Sequence, residues 1–277
     1  MLATYWNEIE WIKPSLDQIL KIDPVEIIIC DGNFDPRVEN RSTDGTREII
    51  EQFVKENADR ARMINAIRTN KFNRGFRFFK DAGFKEDNIK PARLKYTLAS
   101  QFKINEYRVN QALTFAKMMN ISRQWKVNTW AMTYDADQFY PDYMIEEFDL
   151  VNETSDYQLL TANEFTFPEN FKEYTEHYEI RKWNNMPFKI QKNMAVYPTR
   201  HFVVENFFNF RHISEINFQK SVGNYYHYKF RNNISRSEAG YSLGDRQAPS
   251  SARYKGIEKF VDDHPKSVIN HYMYYNS

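Results

Sequence analysis

The chain has 277 residues, 42% of them hydrophobic, so it can bury the core of one large α/β domain or of two small ones. Its 38 Lys and Arg residues nearly balance its 37 Asp and Glu residues, so no global field favours nucleic acid or an anionic membrane as the partner, and any phosphate recognition must be local. The single cysteine, Cys30, excludes an intramolecular disulfide and a thiolate metal site.

The same features predict the compartment. No apolar run approaches the roughly 18 residues that span a bilayer, and the N-terminus lacks the basic-then-apolar order of a secretory signal. We therefore expect a cytoplasmic protein with no transmembrane segment, which a single cysteine also favours. Aromatic residues make up 16% of the chain and concentrate in its later part. Core packing is the favoured explanation, with a sugar-stacking surface or a peripheral membrane contact as the alternative.

The first part of the chain alternates strand and helix patterns. Residues 1–5 predict a strand, and the apolar spacing from Ile9 to Leu20 predicts a helix that Pro14 starts or kinks and that Asp23-Pro24 ends. Residues 25–30 read as a continuous apolar strand of a buried parallel sheet. Ser42-Thr43-Asp44 is predicted to cap a helix from Gly45 to about Glu56, and residues 63–67 predict a third strand.

The pattern changes after the third strand. Residues 68–103 lose regular periodicity and predict an insertion that forms a flexible or substrate-contacting loop. The later predicted elements are helices at 105–119 and 141–150 and strands at 129–135, 157–167, 194–197 and 225–230. This alternation predicts a doubly wound α/β domain with a mainly parallel sheet, whose ligands bind beyond the carboxyl ends of the strands.

Two carboxylates one residue apart, Asp135 and Asp137, follow the strand at 129–135. An unpaired Asp costs several kcal/mol to bury, so such a pair has to meet a cation or water. Mg²⁺ and Mn²⁺ prefer oxygen ligands and are commonly shared between one or two carboxylates and substrate phosphates. The pair therefore predicts a divalent metal site. Asp31 lies at a second strand end, although an Asp-Gly turn is the alternative explanation for it.

The order of these motifs resembles inverting family 2 glycosyltransferases of the GT-A fold. That family opens with a strand and a Pro-Thr-Tyr-Asn-Glu turn, continues with Asp-Asp-Gly-Ser-Thr-Asp-Gly-Thr, and later carries an Asp-x-Asp motif. The matching segments here are Ala3–Glu8, Cys30–Gly32 with Ser42–Thr46, Arg108 with Asn110, and Asp135–Asp137. Cys30 replaces the first Asp, the loop after Gly32 is longer, and residues 68–103 have no counterpart in compact members.

The resemblance covers residues 1–165 and implies a nucleotide-sugar-binding core, with residues 166–277 forming acceptor-side, aromatic-rich elements packed on the same domain. It implies transfer of a sugar from a nucleoside-diphosphate-sugar donor to a glycan, lipid-linked or protein acceptor, with Mn²⁺ or Mg²⁺ as cofactor. The implied roles are nucleoside binding for Thr4, Tyr5, Glu8 and Asp31, metal or ribose binding for Asp135, metal coordination for Asp137, and diphosphate binding for Arg108. For Arg108 an ordinary solvated charge is the alternative, and for Asp44 a helix cap is favoured.

His227, Lys229 and Arg231 alternate along a predicted strand, so their side chains are expected on one face. The resemblance implies that His227 is a further metal ligand and that the two cations clamp the diphosphate, although a lone His is more often structural. An inverting enzyme also needs a carboxylate base for the acceptor hydroxyl. Its candidates are Glu164, Glu205 and Glu215, and a retaining mechanism would need none.

Two other function classes stay open at this level. A nucleotidyltransferase acting on a sugar phosphate also uses paired carboxylates, but its first loop is normally rich in Gly, and the loop Tyr5–Glu8 contains none. A non-catalytic glycan-binding protein of the same fold is the third hypothesis.

Overall fold

The computed structural model describes residues 1–101, 106–154, 156–167, 171–176, 185–197, 202–205, 210–212, 215, 218–228 and 256–272. The helices are α1 (Ile12–Ile22), α2 (Thr46–Glu56), α3 (Phe76–Asp81), α4 (Glu86–Gln101), α5 (Glu106–Ile121), α6 (Asp142–Thr154) and α7 (Lys266–Tyr272). The strands are β1 (Leu2–Tyr5), β2 (Ile27–Asp31), β3 (Ala61–Asn65), β4 (Trp130–Ala131), β5 (Thr133–Asp135), β6 (Gln138–Phe139), β7 (Leu159–Phe167), β8 (Glu173–Glu176), β9 (Phe188–Lys189), β10 (Met194–Val196), β11 (Phe202–Glu205), β12 (Phe210–His212), β13 (Gln219–Tyr228) and β14 (Glu258–Lys259).

The protein is an α/β protein whose parallel sheet has the strand order β3-β2-β1-β5. β1 pairs with β2 from Leu2 opposite Ile28 to Tyr5 opposite Asp31, and β2 pairs with β3 in the same direction. All five residues of β2 are buried. A strand with neighbours on both sides and covered faces requires such a continuous apolar run, so the predicted parallel sheet is confirmed.

The second sheet is mixed, with the order β14-β8-β7-β13-β6. Its long strands β7 and β13 are parallel, whereas β6 and β8 join antiparallel. A bulge separates Ser221 from Asn224 in β13, and Gly223 lies inside it with φ 117°. A Cβ atom at that position would approach the Tyr143 ring to 2.8 Å, so both the backbone angle and the space require glycine. A third sheet, β10-β11-β12, is antiparallel.

The chain divides into two compact units, each built from separate segments. The first unit comprises Met1–Trp6, Val25–Ala131 and Lys189–Ile216, and the second comprises Asn7–Pro24, Met132–Phe188 and Asn217–Ser277. The first contains β1 to β3 with α2 to α5. The second contains α1, α6, α7 and the long strands of the mixed sheet.

Most of residues 68–101 is helical, which corrects the prediction of a loop for this segment. It contains α3 and α4, and the buried residues Ile89, Ala92, Tyr96 and Ala99 of α4 recur at helical spacing. Tyr96 stacks against Phe79 of α3, with ring centroids 6.4 Å apart. Pro91 and the exposed apolar residues Leu94 and Leu98 obscured this periodicity in the sequence.

Helix ends follow the prediction in part. The N–H of Asp23 bonds the carbonyls of Ile19 and Leu20 at a left-handed φ of 51°, so Asp23 ends α1 as expected. The N-cap of α2 is Gly45, which has no side chain to accept a hydrogen bond. Asp44 Oδ1 accepts the Thr46 N–H at 3.0 Å, whereas Ser42 donates its hydroxyl to Asp31. Of the three predicted capping residues, Asp44 accepts the first N–H of α2, and Ser42 also links the segment to Asp31.

Aromatic residues of the second unit form a packed cluster around Tyr228. Its ring stacks on Trp11 at a centroid distance of 5.1 Å and on Phe167 at 4.9 Å. The Tyr228 hydroxyl lies 2.8 Å from Nδ1 of His264, whose pKa burial lowers. Packing therefore accounts for these aromatic residues.

Within the described ranges, no helix combines the length and the apolar character that crossing a bilayer demands.

Candidate functional site

Asp137 and His227 are brought together by the pairing of β6 with β13. The strands are antiparallel with His227 opposite Gln138, and the N–H of Tyr228 donates to the carbonyl of Asp137 at 2.8 Å. This register places His227 Nε2 3.3 Å from Asp137 Oδ1. Both side chains are buried, so the pair is largely shielded from water.

Glu164 lies on the other side of the same imidazole. His227 Nδ1 is 2.9 Å from Glu164 Oε1, because β7 and β13 are parallel neighbours. Thr166 donates its hydroxyl to Oε1 at 2.8 Å, and Tyr225 donates to Oε2 at 2.7 Å. Burial, together with the nearby Glu164, raises the pKa of Tyr225, which keeps this phenol protonated as a donor. Glu164 is thus a buried carboxylate bonded to the side chains of His227, Thr166 and Tyr225.

This arrangement suits a divalent cation. A carboxylate that accepts the Nδ1–H of a histidine holds the Nε2 lone pair toward a metal. Two neighbouring ligand atoms of the same octahedral Mg²⁺, each about 2.1 Å from the ion, lie roughly 3 Å from each other. This separation is close to the distance between Nε2 and Oδ1. In the described part of the chain, no group of three or more His, Cys, Asp or Glu side chains is placed to hold a metal. Asp137 and His227 would therefore supply two ligands, leaving the others to water and phosphate.

Asp135 has a separate partner, Asn185. The side-chain amide of Asn185 donates to Asp135 Oδ2 at 2.9 Å and to Gln138 Oε1 at 2.6 Å, and its own oxygen accepts the Thr133 hydroxyl at 2.6 Å. Asn185 has a left-handed φ of 58° and is buried. One amide therefore fixes side chains on both sides of the Asp135–Asp137 turn. Sequence reasoning missed Asn185, although Asn is one of the non-glycine residue types enriched at this backbone angle.

A buried glutamine connects the same turn to α1. Gln18 Nε2 donates to the Tyr140 carbonyl at 3.0 Å, and its Oε1 accepts from the Tyr140 N–H and the Tyr134 hydroxyl, both at 3.0 Å. The Tyr140 hydroxyl in turn donates to the Asn185 carbonyl. These bonds satisfy buried polar groups and hold the segment around Asp137 in one conformation.

Asp31, in the first unit, is fully buried and occupied by its own chain. Ser42 donates its hydroxyl to Oδ1 at 2.6 Å, and Arg47 donates to Oδ2 at 2.8 Å and to Asn65 Oδ1 at 3.1 Å. At the next residue, Gly32, a Cβ atom would lie 2.7 Å from Asn40 Oδ1 and 2.8 Å from Ala66 Cβ. Asp31 therefore ties the loop after β2 to α2.

Helix α5 holds the loops that follow β2 and β3. Asn110, fully buried, donates to the Phe34 carbonyl at 3.0 Å and accepts the Thr69 N–H at 3.2 Å. Arg108, on the same helix, donates to Gln111 Oε1 at 3.2 Å, and its guanidinium lies 5.7 Å from the Tyr107 ring centroid. The structure thus shows Arg108 in contacts with its own helix.

The other predicted site residues are distributed as follows. Thr4 and Tyr5 lie in β1, with Tyr5 buried, and the Glu8 carbonyl accepts the N–H groups of Trp11 and Ile12 at the start of α1. Glu205 is the last residue of β11, and Glu215 is exposed. Lys229 and Arg231 lie outside the described residues. Of the predicted set, the structure joins Asp137, Glu164 and His227 directly.

No protein-family model matches the chain, and no curated protein sequence matches it. The functional conclusion therefore rests on the geometry and on the motifs in the sequence.

Proposed function

We propose that this protein is a metal-dependent glycosyltransferase of the GT-A type, which transfers a sugar from a nucleoside-diphosphate-sugar donor to a glycan, lipid-linked or protein acceptor. The observation that carries the proposal is the buried pair of Asp137 Oδ1 and His227 Nε2, 3.3 Å apart, with Glu164 behind the imidazole. The ordered motifs that precede Asp137 in the sequence support the same activity.

The proposal assigns the metal to Asp137 and His227. A bound Mn²⁺ or Mg²⁺ would neutralise the charge that develops on the departing nucleoside diphosphate. Glu164 would orient His227 through Nδ1, and Asn185 would keep Asp135 in place for a ribose hydroxyl or a water. The burial of the pair lowers the local dielectric constant and strengthens its electrostatic interactions.

Glu164 is better suited to orienting His227 than to acting as the catalytic base. A base needs a lone pair directed at the acceptor hydroxyl, and both oxygens of Glu164 already accept hydrogen bonds from Thr166 and Tyr225. If the mechanism is inverting, Glu205, at the end of β11, and the exposed Glu215 are the remaining candidates for the base. In this proposal Asp31 holds the loop after β2. Thr4, Tyr5 and Glu8 keep the predicted role of binding the nucleoside.

A ligand screen tests the proposal. Melting temperatures would be measured with a set of nucleoside diphosphates, with and without Mn²⁺, because a ligand that binds only the folded state raises the melting temperature. We expect some diphosphates to raise it only when Mn²⁺ is present. Asp137→Asn should abolish this rise, whereas the control Asp149→Asn, at an exposed position of α6, should keep it.

Two results would contradict the proposal. The first is a melting shift in Asp137→Asn equal to that of the unmodified chain. The second is turnover of nucleoside triphosphates with release of pyrophosphate and no transfer from any nucleoside-diphosphate sugar, which would establish a nucleotidyltransferase instead.

A further inference from the structure

Residues 68–101 carry a concentration of positive charge that the chain as a whole does not show. They contain nine Lys and Arg residues and three Asp and Glu residues, a net charge of +6, whereas the entire chain has a net charge of +1. The remaining residues are therefore net acidic, with a charge of −5. Six of the basic side chains are exposed, namely Lys71, Arg77, Lys80, Lys85, Lys90 and Arg93.

Large apolar side chains are exposed in the same segment. Phe72 is 84% exposed, Leu94 63% and Phe76 48%. They do not belong to the local core, which contains Phe79 and Tyr96 instead. On α4, Lys90, Leu94 and Leu98 follow one another at intervals of four residues, so they share one face of the helix. Apolar and basic side chains are thus interleaved on a solvent-facing surface, here named the α3–α4 surface.

The loop that carries Phe72 is fastened to α4. Arg74 is buried, donates to the Tyr96 carbonyl at 2.8 Å and forms an ion pair with Glu106. Arg93 donates from α4 to the Arg74 carbonyl at 3.1 Å. The hydrogen bond and the ion pair of this buried arginine fix the loop against one turn of the helix. The exposed apolar side chains on either side of Arg74, Phe72 and Phe76, therefore project from an ordered backbone.

We propose that the α3–α4 surface docks the protein on an anionic lipid bilayer. The lysines and arginines would meet acidic headgroups, while the aromatic and leucine side chains enter the boundary between headgroups and acyl chains. Charge complementarity favours this partner, because an otherwise acidic chain places its excess positive charge in the same segment as the exposed Phe72, Phe76 and Leu94. Ion pairs at 3.8 Å between exposed side chains, such as Arg77 with Asp81, compensate little of that charge. The inference does not depend on the proposed enzymatic activity.

Co-sedimentation with vesicles tests this docking. The full chain would be mixed with vesicles of phosphatidylcholine alone or with about 30% phosphatidylserine, which gives a negative surface potential. We expect binding to the anionic vesicles that weakens as salt is added. The double variant Lys85→Glu/Lys90→Glu should lower the partition coefficient about tenfold or more, because each basic side chain near such a surface contributes to binding.

Matched variants distinguish docking through the α3–α4 surface from changes in charge or hydrophobicity elsewhere on the protein. Phe72→Ser/Leu94→Ser should lower the partition coefficient about tenfold through lost apolar insertion. Lys55→Glu, on the exposed side of α2, and Val25→Ser, 78% exposed, should bind like the unmodified chain. Melting temperatures of all variants verify folding.

Equal binding to neutral and anionic vesicles would overturn the proposal. So would the absence of binding to both, or an equal loss in the control variants. Binding of single-stranded nucleic acid that depends on Lys85 and Lys90, without any vesicle binding, would assign the surface to another partner and overturn it as well.

Discussion

His227 and Asp137 are joined both through their side chains and through the backbone. His227 Nε2 lies 3.3 Å from Asp137 Oδ1, and the backbone N–H of the next residue, Tyr228, donates to the Asp137 carbonyl at 2.8 Å. The relative position of the two side chains is therefore set by strand register, which is stiff, and not by a mobile loop. Such rigid support is what a metal site requires of its ligands.

Replacing His227 tests its assignment as a metal ligand. We expect His227→Gln to weaken Mn²⁺ binding, in the presence of the diphosphate that gives the largest melting shift, by at least about tenfold. Titration calorimetry measures the affinity. The control is His271→Gln, which changes a histidine of α7 that contacts Asp17. Equal Mn²⁺ affinity in both variants would remove His227 from the metal site.

Glu164→Gln distinguishes orientation of His227 from base catalysis. The amide has nearly the shape of the carboxylate and can present its N–H group to Nδ1, which would then carry the lone pair and leave a proton on Nε2. We expect Mn²⁺ affinity to fall about 10- to 100-fold, and turnover to recover at saturating Mn²⁺. Glu146→Gln, at an exposed position of α6, is the matched control.

The opposite kinetic pattern would identify Glu164 as the base. In that case kcat would stay low at saturating Mn²⁺ while the metal affinity remained unchanged. Steady-state rates across a range of Mn²⁺ concentrations separate these two results.

Arg47→Met should destabilise the first unit strongly. The buried Asp31 carboxylate would lose the guanidinium that lies 2.8 Å away, and breaking a buried ion pair in this way costs about 3–5 kcal/mol. Adding Asp31→Asn should restore part of the loss, because a neutral amide is cheaper to leave in this position. Urea unfolding measures the difference, with the exposed Arg41→Met as control. Equal stability of Arg47→Met and Arg41→Met would show that the pair does not hold the loop.

Glu26→Gln should destabilise the protein in a pH-dependent manner. Burial raises the pKa of Glu26, but hydrogen bonds from Ser122, Arg123 and Gln124, with the nearby Arg62, bring the pKa below its ordinary value of 4.5. A carboxyl whose pKa is lower in the folded state stabilises it above the unfolded pKa, and this stabilisation is lost as pH falls through the folded pKa. The variant should therefore be less stable at pH 7, and the difference should shrink on acidification below pH 4.5.

Denaturant unfolding at a series of pH values checks this expectation. Asp59→Asn, which alters an exposed carboxyl of the same unit, should show little change at any pH. A difference between Glu26→Gln and the unmodified chain that stays constant from neutral to acidic pH would contradict the linkage.

Several features of this protein were determined by the sequence alone. The continuous apolar run of β2 and the helical spacing of α1 and α5 were recognisable, because each depends on contacts between residues that are neighbours in the chain. The strand predicted at 129–135 is divided at Met132 into β4, which pairs with β9, and β5, which belongs to the parallel sheet. The segment 68–103 was misjudged for a related reason. Its helix α4 exposes leucines on the face where polar residues are expected, so the local pattern conflicted with the fold.

Only the tertiary structure decided which side chains meet. The resemblance assigned Asp137 and His227 to the metal and Glu164 to base catalysis, but the assembly of all three around one imidazole depends on β13 lying between β6 and β7 in a particular register. A shift of one residue would turn His227 to the other face of the sheet. The same holds for Asn185 and Tyr225, which serve the site through bonds to residues far away in sequence. Strand order and register arise from long-range packing, and local sequence patterns do not encode them.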